Sequence, residues 1–269
     1  ALSWGNGLVY HTFDFINPFA PIAIDKDHKT GEDMIYAQAL MPWGDDLQAI
    51  AVGRRNLETN VISSEVASVA LKWRGDIANS GFEYELLASR HYDEKIYGLG
   101  LRRSMFDAVM RVDFSMTELM DGSEKFSMIA NIDRSWLILD KNIYTFIEYF
   151  RNGFGSKNIS LLQLSPALSS RLERGELYSL GRDLLAIGGR IELTPRLNLF
   201  QTALLNLHDA SGIYQIRTDF DWLTDLTFET GVSFPWGSKN SEFGGLEVPG
   251  SNTLLEAAIE LFLKISYYF

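Results

Sequence analysis

Residues 213–222 read IYQIRTDFDW, and this stretch decides the fold because apolar and polar side chains alternate along it without a break. One set of alternate positions holds Tyr214, Ile216, Thr218, Phe220 and Trp222. The positions between them hold Gln215, Arg217, Asp219 and Asp221. A repeat of two places successive side chains on opposite faces of a strand, whereas a helical face repeats about every 3.6 residues. The stretch therefore predicts a β-strand with one apolar and one polar face.

The same alternation recurs in 226–234, in 107–116 and in the C-terminal residues, and it extends more weakly over the rest of the chain. The predicted strands lie near 2–10, 33–41, 47–55, 64–74, 82–92, 95–103, 107–116, 125–136, 143–152, 180–193, 198–208, 213–223, 226–236 and 253–269. No apolar run reaches the roughly 18 residues that a membrane-spanning helix needs, whereas strands of about nine to eleven residues suit a tilted crossing. We predict an all-β fold: one transmembrane, antiparallel, up-and-down β-barrel of about 14 strands (12–16), forming a single domain over residues 1–269.

The connections between the predicted strands also sort by length, as they do in membrane barrels. With the C-terminus placed at the periplasmic end, the periplasmic turns are short and fall at 42–46, 75–81, 104–106, 137–142, 194–197 and 224–225. The extracellular connections fall at 11–33, 56–63, 93–94, 117–124, 153–179, 209–212 and 237–252, and three of these are long. Leucine spacing within 160–173 suggests a short helix in the longest loop.

Charge and cysteine content exclude several classes of protein. The formal net charge is −11, which argues against nucleic acid as a partner because nucleic-acid binding needs a basic surface. The chain has no cysteine, which excludes disulfides, cysteine-ligated zinc and a cysteine nucleophile. The acidic loop 25–33 departs from a calcium-binding loop at Lys29 and Thr30, so neither a metal nor a cofactor is expected.

The last strand resembles the terminal strand of bacterial outer-membrane β-barrel proteins, which end in Phe after alternating apolar residues. The matching positions are Phe269, Tyr267, Ile265, Leu263 and Leu261. The opening Ser3-Trp4-Gly5-Asn6-Gly7, followed by Asn17-Pro18-Phe19, is similar to a stretch of larger porin-like barrels, where earlier strands can precede it. The resemblance implies an outer-membrane location, contact with its lipid and lipopolysaccharide, and recognition of Phe269, Tyr267 and Ile265 by the barrel-assembly machinery. It leaves a homo-oligomer open.

Charged side chains between the apolar positions indicate what the interior does. A lipid-facing Arg or Lys costs roughly 2–4 kcal/mol at the bilayer midplane, so charges within the strands should face the lumen. The predicted pore-lining residues are Arg111, Asp113, Arg217, Asp219, Asp221, Glu229, Glu256, Glu260 and Lys264. Acids outnumber bases in this set. We therefore expect a porin-like channel for small hydrophilic solutes or ions with a mild cation preference, narrowed by loop 153–179 or, second, by 11–33.

Two alternatives to the channel remain open. Paired charges can instead fill a closed lumen, giving a structural barrel that sheathes or anchors an electron-transfer or export partner. Outer-membrane phospholipases use a Ser and a His on the outer surface of the barrel, whereas Ser89 and His91 share the predicted lumen face. No surrounding motif supports a nucleophile and base, so we expect no enzyme. Aromatic residues near predicted strand ends are expected to form interfacial girdles: Trp4, Tyr10, Trp73, Tyr92, Trp222, Phe234, Trp236, Tyr267 and Phe269.

Overall fold

Fifteen strands follow one another in a computed structural model that describes residues 3–18, 20–21, 23, 33–56, 59–248, 250–251 and 253–269. The strands are β1 Met34–Leu40, β2 Asp46–Val52, β3 Ser68–Ile77, β4 Phe82–His91, β5 Glu94–Met105, β6 Ala108–Glu118, β7 Glu124–Ile138, β8 Lys141–Arg151, β9 Asp183–Thr194, β10 Leu197–Asn206, β11 Gly212–Leu223, β12 Leu226–Trp236, β13 Leu246–Glu247, β14 Leu254–Leu255 and β15 Glu260–Tyr267. A 3₁₀ turn, Leu161–Gln163, and one helix, α1 Pro166–Glu173, lie between β8 and β9. No helix among the described residues has the length and apolarity to cross a membrane.

Thirteen of these strands form one antiparallel sheet in which every strand pairs with its neighbours in sequence. The order runs from β1 to β12 and ends at β15, while β13 and β14 pair with each other as a separate two-stranded sheet. Within the described residues, no pairing joins β1 to β15. The predicted all-β, up-and-down antiparallel arrangement is confirmed. Among the described residues, no strand pairing closes the sheet into a barrel.

The strand ends follow the predicted sorting of loops. The β1–β2, β3–β4, β5–β6, β7–β8, β9–β10 and β11–β12 connections are all tight turns, and they meet at one end of an up-and-down sheet. The longest connections, 152–182 and 237–259, join strands at the opposite end. The helix predicted within 160–173 is present as α1, where the hydroxyl of Ser165 accepts the N–H of Leu168 and Pro166 occupies the first turn.

Two predicted strands differ from the structure. Residues 3–10 form bends and turns rather than a strand, and Gly5 adopts a φ of +90°, which a regular strand does not allow. The terminal strand is shorter than the predicted 253–269, because 256–259 do not pair and the ladder resumes only at Glu260. The sheet therefore has thirteen strands where the sequence predicts fourteen, within the predicted range.

The chain divides into two compact units. The first contains Ala1–Pro18 and His28–Ala130, and the second contains Phe19–Asp27 and Asn131–Phe269. In each unit, one face of the sheet carries large apolar side chains that remain exposed, such as Leu71 and Phe114 in the first and Ile147, Ile187 and Leu263 in the second. We call this side the apolar face and the opposite side the polar face.

Charged side chains on the apolar face lie toward the strand ends. Within the described strands they are Arg90, Lys95, Arg103, Glu118, Glu124, Arg134, Lys141, Arg151 and Asp183. Most of these are neutralised or shielded locally. Lys95 pairs with Glu118 at 2.9 Å, while Arg103 and Arg134 lie over the rings of Phe82 and Trp136. The middle of the apolar face therefore forms a belt without charge.

Two-residue turns impose left-handed backbone conformations on ordinary side chains. Leu139 has φ +50° and Asp140 has φ +57° in the β7–β8 turn. Such turns favour Asn-Gly, because both central residues need positive φ. We predict that Leu139→Asn increases the free energy of unfolding by about 1 kcal/mol, since a left-handed conformation costs a bulky L-residue about 1–2 kcal/mol. Urea unfolding of the refolded protein measures this change.

Leu137→Asn is the matched control for this turn. Leu137 is a similarly exposed leucine that precedes the turn and has no positive φ. No gain is expected there, and an equal gain in both variants would contradict the explanation by backbone strain.

Candidate functional site on the polar face

The polar face of the first unit is covered by the chain's own beginning, residues 3–18, which we call the N-terminal segment. Asn6 donates its backbone N–H and its side-chain amide to the carboxylate of Asp113, each at 2.7 Å. The indole N–H of Trp4 donates to Oε1 of Gln48 at 2.8 Å. Asp113 has no exposed surface, so its charge is satisfied by the segment rather than by water.

Two glycines of β5 make room for this segment. A Cβ at Gly98 would lie 2.5 Å from Cε1 of Phe13. A Cβ at Gly100 would lie 2.7 Å from Oδ1 of Asp113 and 2.8 Å from Nδ2 of Asn6. Glycine within a strand marks such close approaches. The polar face of β5 is therefore shaped to receive the N-terminal segment.

Apolar packing holds the same segment. Trp4, Phe13, Phe15 and Ile16 form a buried cluster with five residues of β2–β5, namely Ile50, Val52, Ala70, Leu87 and Ile96. Burying a large apolar side chain contributes about 1.5–3 kcal/mol. This cluster is therefore a substantial anchor beside the hydrogen bonds to Asp113.

Ion pairs occupy the rest of the polar face in the first unit. Lys72 Nζ lies 3.7 Å from Glu85 Oε1 with both side chains buried, and Lys72 also lies over the Trp4 ring. Closer to the short turns, Glu83 pairs with Arg74 at 2.6 Å and with Arg102, and these side chains remain partly exposed. Charge is thus buried beside the N-terminal segment and accessible nearer the short turns.

The serine and histidine considered for hydrolysis do not bond to each other. Ser89 donates its hydroxyl to the carbonyl oxygen of Val69. His91 Nδ1 instead lies 2.6 Å from Oγ of Ser68, and the His91 ring packs edge-on against Phe15. Both members of the Ser68–His91 pair are only 1% exposed, so the segment would have to move before a substrate could reach them.

In the second unit, four predicted pore-lining residues come together on three neighbouring strands. Arg217 and Asp219 of β11 pair at 3.0 Å, and Glu229 of β12 pairs with Lys264 of β15 at 3.1 Å. The strand register places Asp219 beside Glu229, and Glu229 beside Lys264. We call these four residues the charged patch. Their side chains are 16–40% exposed, so the patch contacts solvent.

The remaining predicted pore-lining residues are more scattered. Asp221 is exposed at the end of β11 and accepts the hydroxyl of Thr227. Glu260 begins β15, whereas Glu256 lies in the unpaired 256–259 stretch. Arg111 and Asp113 belong to β6 in the first unit, on the polar face as predicted. Whether any of the nine lines a pore stays a prediction.

Several charged groups were missing from the sequence-based set. Glu148 is completely buried and accepts the amide of Asn131 at 2.9 Å. Asp183 accepts the Tyr149 hydroxyl at 2.5 Å and lies 2.6 Å from His208 Nε2. A charge at an alternate position was the available signal for Glu148, as it was for Lys72 and Glu85. The partners in these pairs are far apart in sequence, and alternation does not identify them.

The aromatic residues predicted to form interfacial girdles occupy different environments. Trp222, Phe234, Trp236 and Tyr267 are exposed at strand ends, and so is Phe269, two residues beyond β15. Trp73 donates to Asp45 in the β1–β2 turn at 2.9 Å. Hydrogen bonding by Trp43, Trp73 and Tyr84 lowers the pKa of the Asp45 carboxyl despite some burial. The prediction is wrong for Trp4 and Tyr10, which are buried in the N-terminal segment.

The predicted assembly signal is accessible. Ile265 and Tyr267 lie on the apolar face of β15, with 57% and 65% exposure. Recognition of these residues by an assembly factor stays a prediction. The acidic loop 25–33 lies outside the described residues, apart from Asp33.

The two longest loops are joined by one carboxylate. Glu242 accepts the backbone N–H groups of Leu180 and Gly181, at 2.5 and 3.2 Å, and the amide of Asn206 at 2.8 Å. Burial raises the pKa of the Glu242 carboxyl, and the nearby charge of Asp209 acts in the same direction. This contact connects loop 152–182 to loop 237–259 within the second unit.

Comparison with known proteins identifies no family for this chain. No protein-family model, curated protein or solved structure matches the chain. The functional argument therefore rests on the residues themselves.

The Glu242 contact should depend on pH. A carboxyl whose folded pKa exceeds its ordinary value near 4.5 stabilises the folded state below that value, and the stabilisation is lost as pH rises through the folded pKa. We predict that exchange protection of the Leu180 and Gly181 N–H groups, corrected for intrinsic exchange rates, is greater at pH 5 than at pH 8. Hydrogen–deuterium exchange measures both groups.

Glu242→Gln is the matched variant for this pH effect, since it keeps the shape of the side chain and removes its titration. In this variant, the exchange protection of the Leu180 and Gly181 N–H groups should be lower and should depend less on pH, because an amide presents only one acceptor to these donors. Equal protection at both pH values in the unmodified protein would contradict the explanation.

Proposed function

We propose that this chain is a membrane-embedded β-barrel of the bacterial outer membrane that conducts small hydrophilic solutes or ions. One observation carries the proposal: a belt of exposed apolar side chains without charge, opposite a face that holds buried and half-buried charges. A water-soluble sheet with one solvated face shows the reverse pattern, with apolar side chains buried and charges outside. Lipid on the apolar face would remove this conflict.

The energetics favour lipid contact over exposure to water. Moving one large aliphatic or aromatic side chain out of water contributes about 1.5–3 kcal/mol, and the belt repeats such side chains on strand after strand. Charges on the same face lie toward the strand ends, where long side chains reach the interface. Exposed aromatic residues at strand ends, such as Trp222 and Trp236, are typical of interfacial girdles.

Closure is part of the proposal because open sheet edges are not tolerated in lipid. An up-and-down sheet of thirteen strands has first and last strands that run in the same direction. Direct pairing of β1 with β15 would therefore be parallel, and a wholly antiparallel barrel would need one more strand. Bacterial single-chain barrels have an even strand number, which favours the second route.

The charged patch supports conduction by the second unit. Arg217, Asp219, Glu229 and Lys264 remain partly exposed, and exposed Asp221 lies nearby. Acids exceed bases among these five residues, so a confined aqueous path beside them would favour cations. The preference should be mild and should weaken with salt, because screening acts over about 8–10 Å at physiological ionic strength.

We predict that replacing Asp219 and Asp221 together by Asn shifts the reversal potential of the channel toward anion preference without loss of the folded sheet. Planar-bilayer recording under a salt gradient measures the shift, and circular dichroism checks the fold. Asp121→Asn with Glu124→Gln is the matched control, since it removes two negative charges from a loop and a strand end, and it should leave the reversal potential nearly unchanged.

A second candidate function is favoured by the N-terminal segment. Because this segment buries much of the polar face in the first unit, a filled barrel that anchors a partner is the alternative. Absence of conductance from a folded, inserted protein would favour that structural barrel. Conductance with equal shifts in both double variants would show that the charged patch does not line the path.

A further inference from the structure

We propose that the N-terminal segment is a built-in constriction of the channel, seated on the polar face of β2–β6 and displaceable from it. The inference rests on the proposed function, since a constriction requires a conducting lumen. It assigns to residues 3–18 the role that the sequence suggested first for loop 153–179 and second for 11–33, which overlaps the segment at 11–18. The described contacts of loop 153–179 include a link to another outer loop through Glu242.

The N-terminal segment is specifically seated on the sheet. Three kinds of contact converge on a short piece of chain without regular secondary structure: two bonds from Asn6 to Asp113, the Trp4–Gln48 bond, and the burial of Phe13. Loose chain lying on a sheet would not require glycine beneath it. Here any side chain at Gly98 would collide with Phe13, so the seat and the segment fit each other.

The segment packs on a face whose charged side chains make its burial costly in free energy. Lys72, Glu85 and Asp113 lose their contact with water on that face. Burial of charge is tolerated only when partners compensate, as Asn6 does for Asp113 and Glu85 does for Lys72. Because the covered surface keeps its charges, we infer that removal of the segment would expose a hydrated, charged surface rather than an apolar core.

The position of the segment also determines which charges a solute could reach. The segment leaves the charges nearer the short turns, such as Arg74 and Glu83, partly exposed, while it buries those beside it. In a channel, the segment would therefore narrow the part of the lumen bounded by β2–β6. Displacing the segment should increase conductance.

The test places a single reporter cysteine beneath the segment, which is straightforward in a chain without native cysteine. Ser115 is buried on β6 and pairs across the ladder with Gly98. Ser115→Cys is labelled with a polar maleimide in three backgrounds besides the parent protein. Phe13→Ala removes the anchor, Gly98→Leu fills its seat, and Tyr97→Leu alters the neighbouring exposed position on the opposite face as a control.

Phe13→Ala and Gly98→Leu should increase the labelling rate by about two orders of magnitude, the change in population expected when a buried aromatic contact is lost. Both should also increase single-channel conductance, whereas Tyr97→Leu should match the parent protein in both measurements. The two variants disrupt the Phe13–Gly98 contact from opposite sides. If circular dichroism shows a folding defect in one variant, the other still tests the proposal.

Three outcomes would overturn the inference, and they differ from one another. Rapid labelling in the parent protein would show that the segment is not seated. Faster labelling with unchanged conductance in a conducting protein would reject the constriction and leave the proposed channel standing. Faster labelling without conductance in any background would reject the channel itself, and the constriction with it.

Discussion

Side chains in a paired strand must alternate between two faces, and this geometric constraint organises everything else in the protein. Register is locked by backbone hydrogen bonds, so a strand cannot bring its polar and apolar sets to the same side. In this chain the exposed set is the apolar one and the protected set holds the charges. On successive strands, therefore, the side chains that water solvates poorly are the exposed ones, and the charges that water solvates well are the protected ones.

The protected charges also need ion-pair or hydrogen-bond partners, and the two units supply these partners differently. In the second unit, Arg217, Asp219, Glu229 and Lys264 are paired across neighbouring strands and still reach solvent. In the first unit, Asp113 is satisfied by Asn6, 107 residues earlier in the chain. The charged patch of the second unit thus keeps contact with solvent, and the first unit uses its own chain to complete hydrogen bonds that water would otherwise supply.

Alternation allowed most of the sheet to be predicted from the sequence because register and face are local properties. The paired strands β11 and β12 match the predicted stretches 213–223 and 226–236 almost residue for residue. The same rule failed for the predicted strand 2–10, within which Gly5 and Gly7 lie. Glycine so close to aromatic residues marks a turn or a close approach, and it was the available warning.

The contacts that could not be predicted join residues that are far apart in the sequence. The cover over Asp113 depends on a contact that no periodicity encodes, and the burial of Trp4 and Tyr10 follows from the same contact. Loop contacts such as that of Glu242 with Leu180 and Gly181 are equally invisible, because they join segments about 60 residues apart through one carboxylate. Sequence therefore predicts which face a charge occupies but not which group satisfies it.

We propose that lipid, not water, contacts the apolar face, and a nitroxide scan of β12 in lipid bilayers can distinguish the two. Single cysteines are introduced in turn at 227–234, and each is spin-labelled for collision measurements with oxygen and with a water-soluble nickel complex. The account predicts a repeat of two: oxygen-rich, nickel-poor environments at 228, 230, 232 and 234, and the opposite at 227, 229, 231 and 233. Nickel access at every position, or oxygen enrichment without alternation, would contradict it.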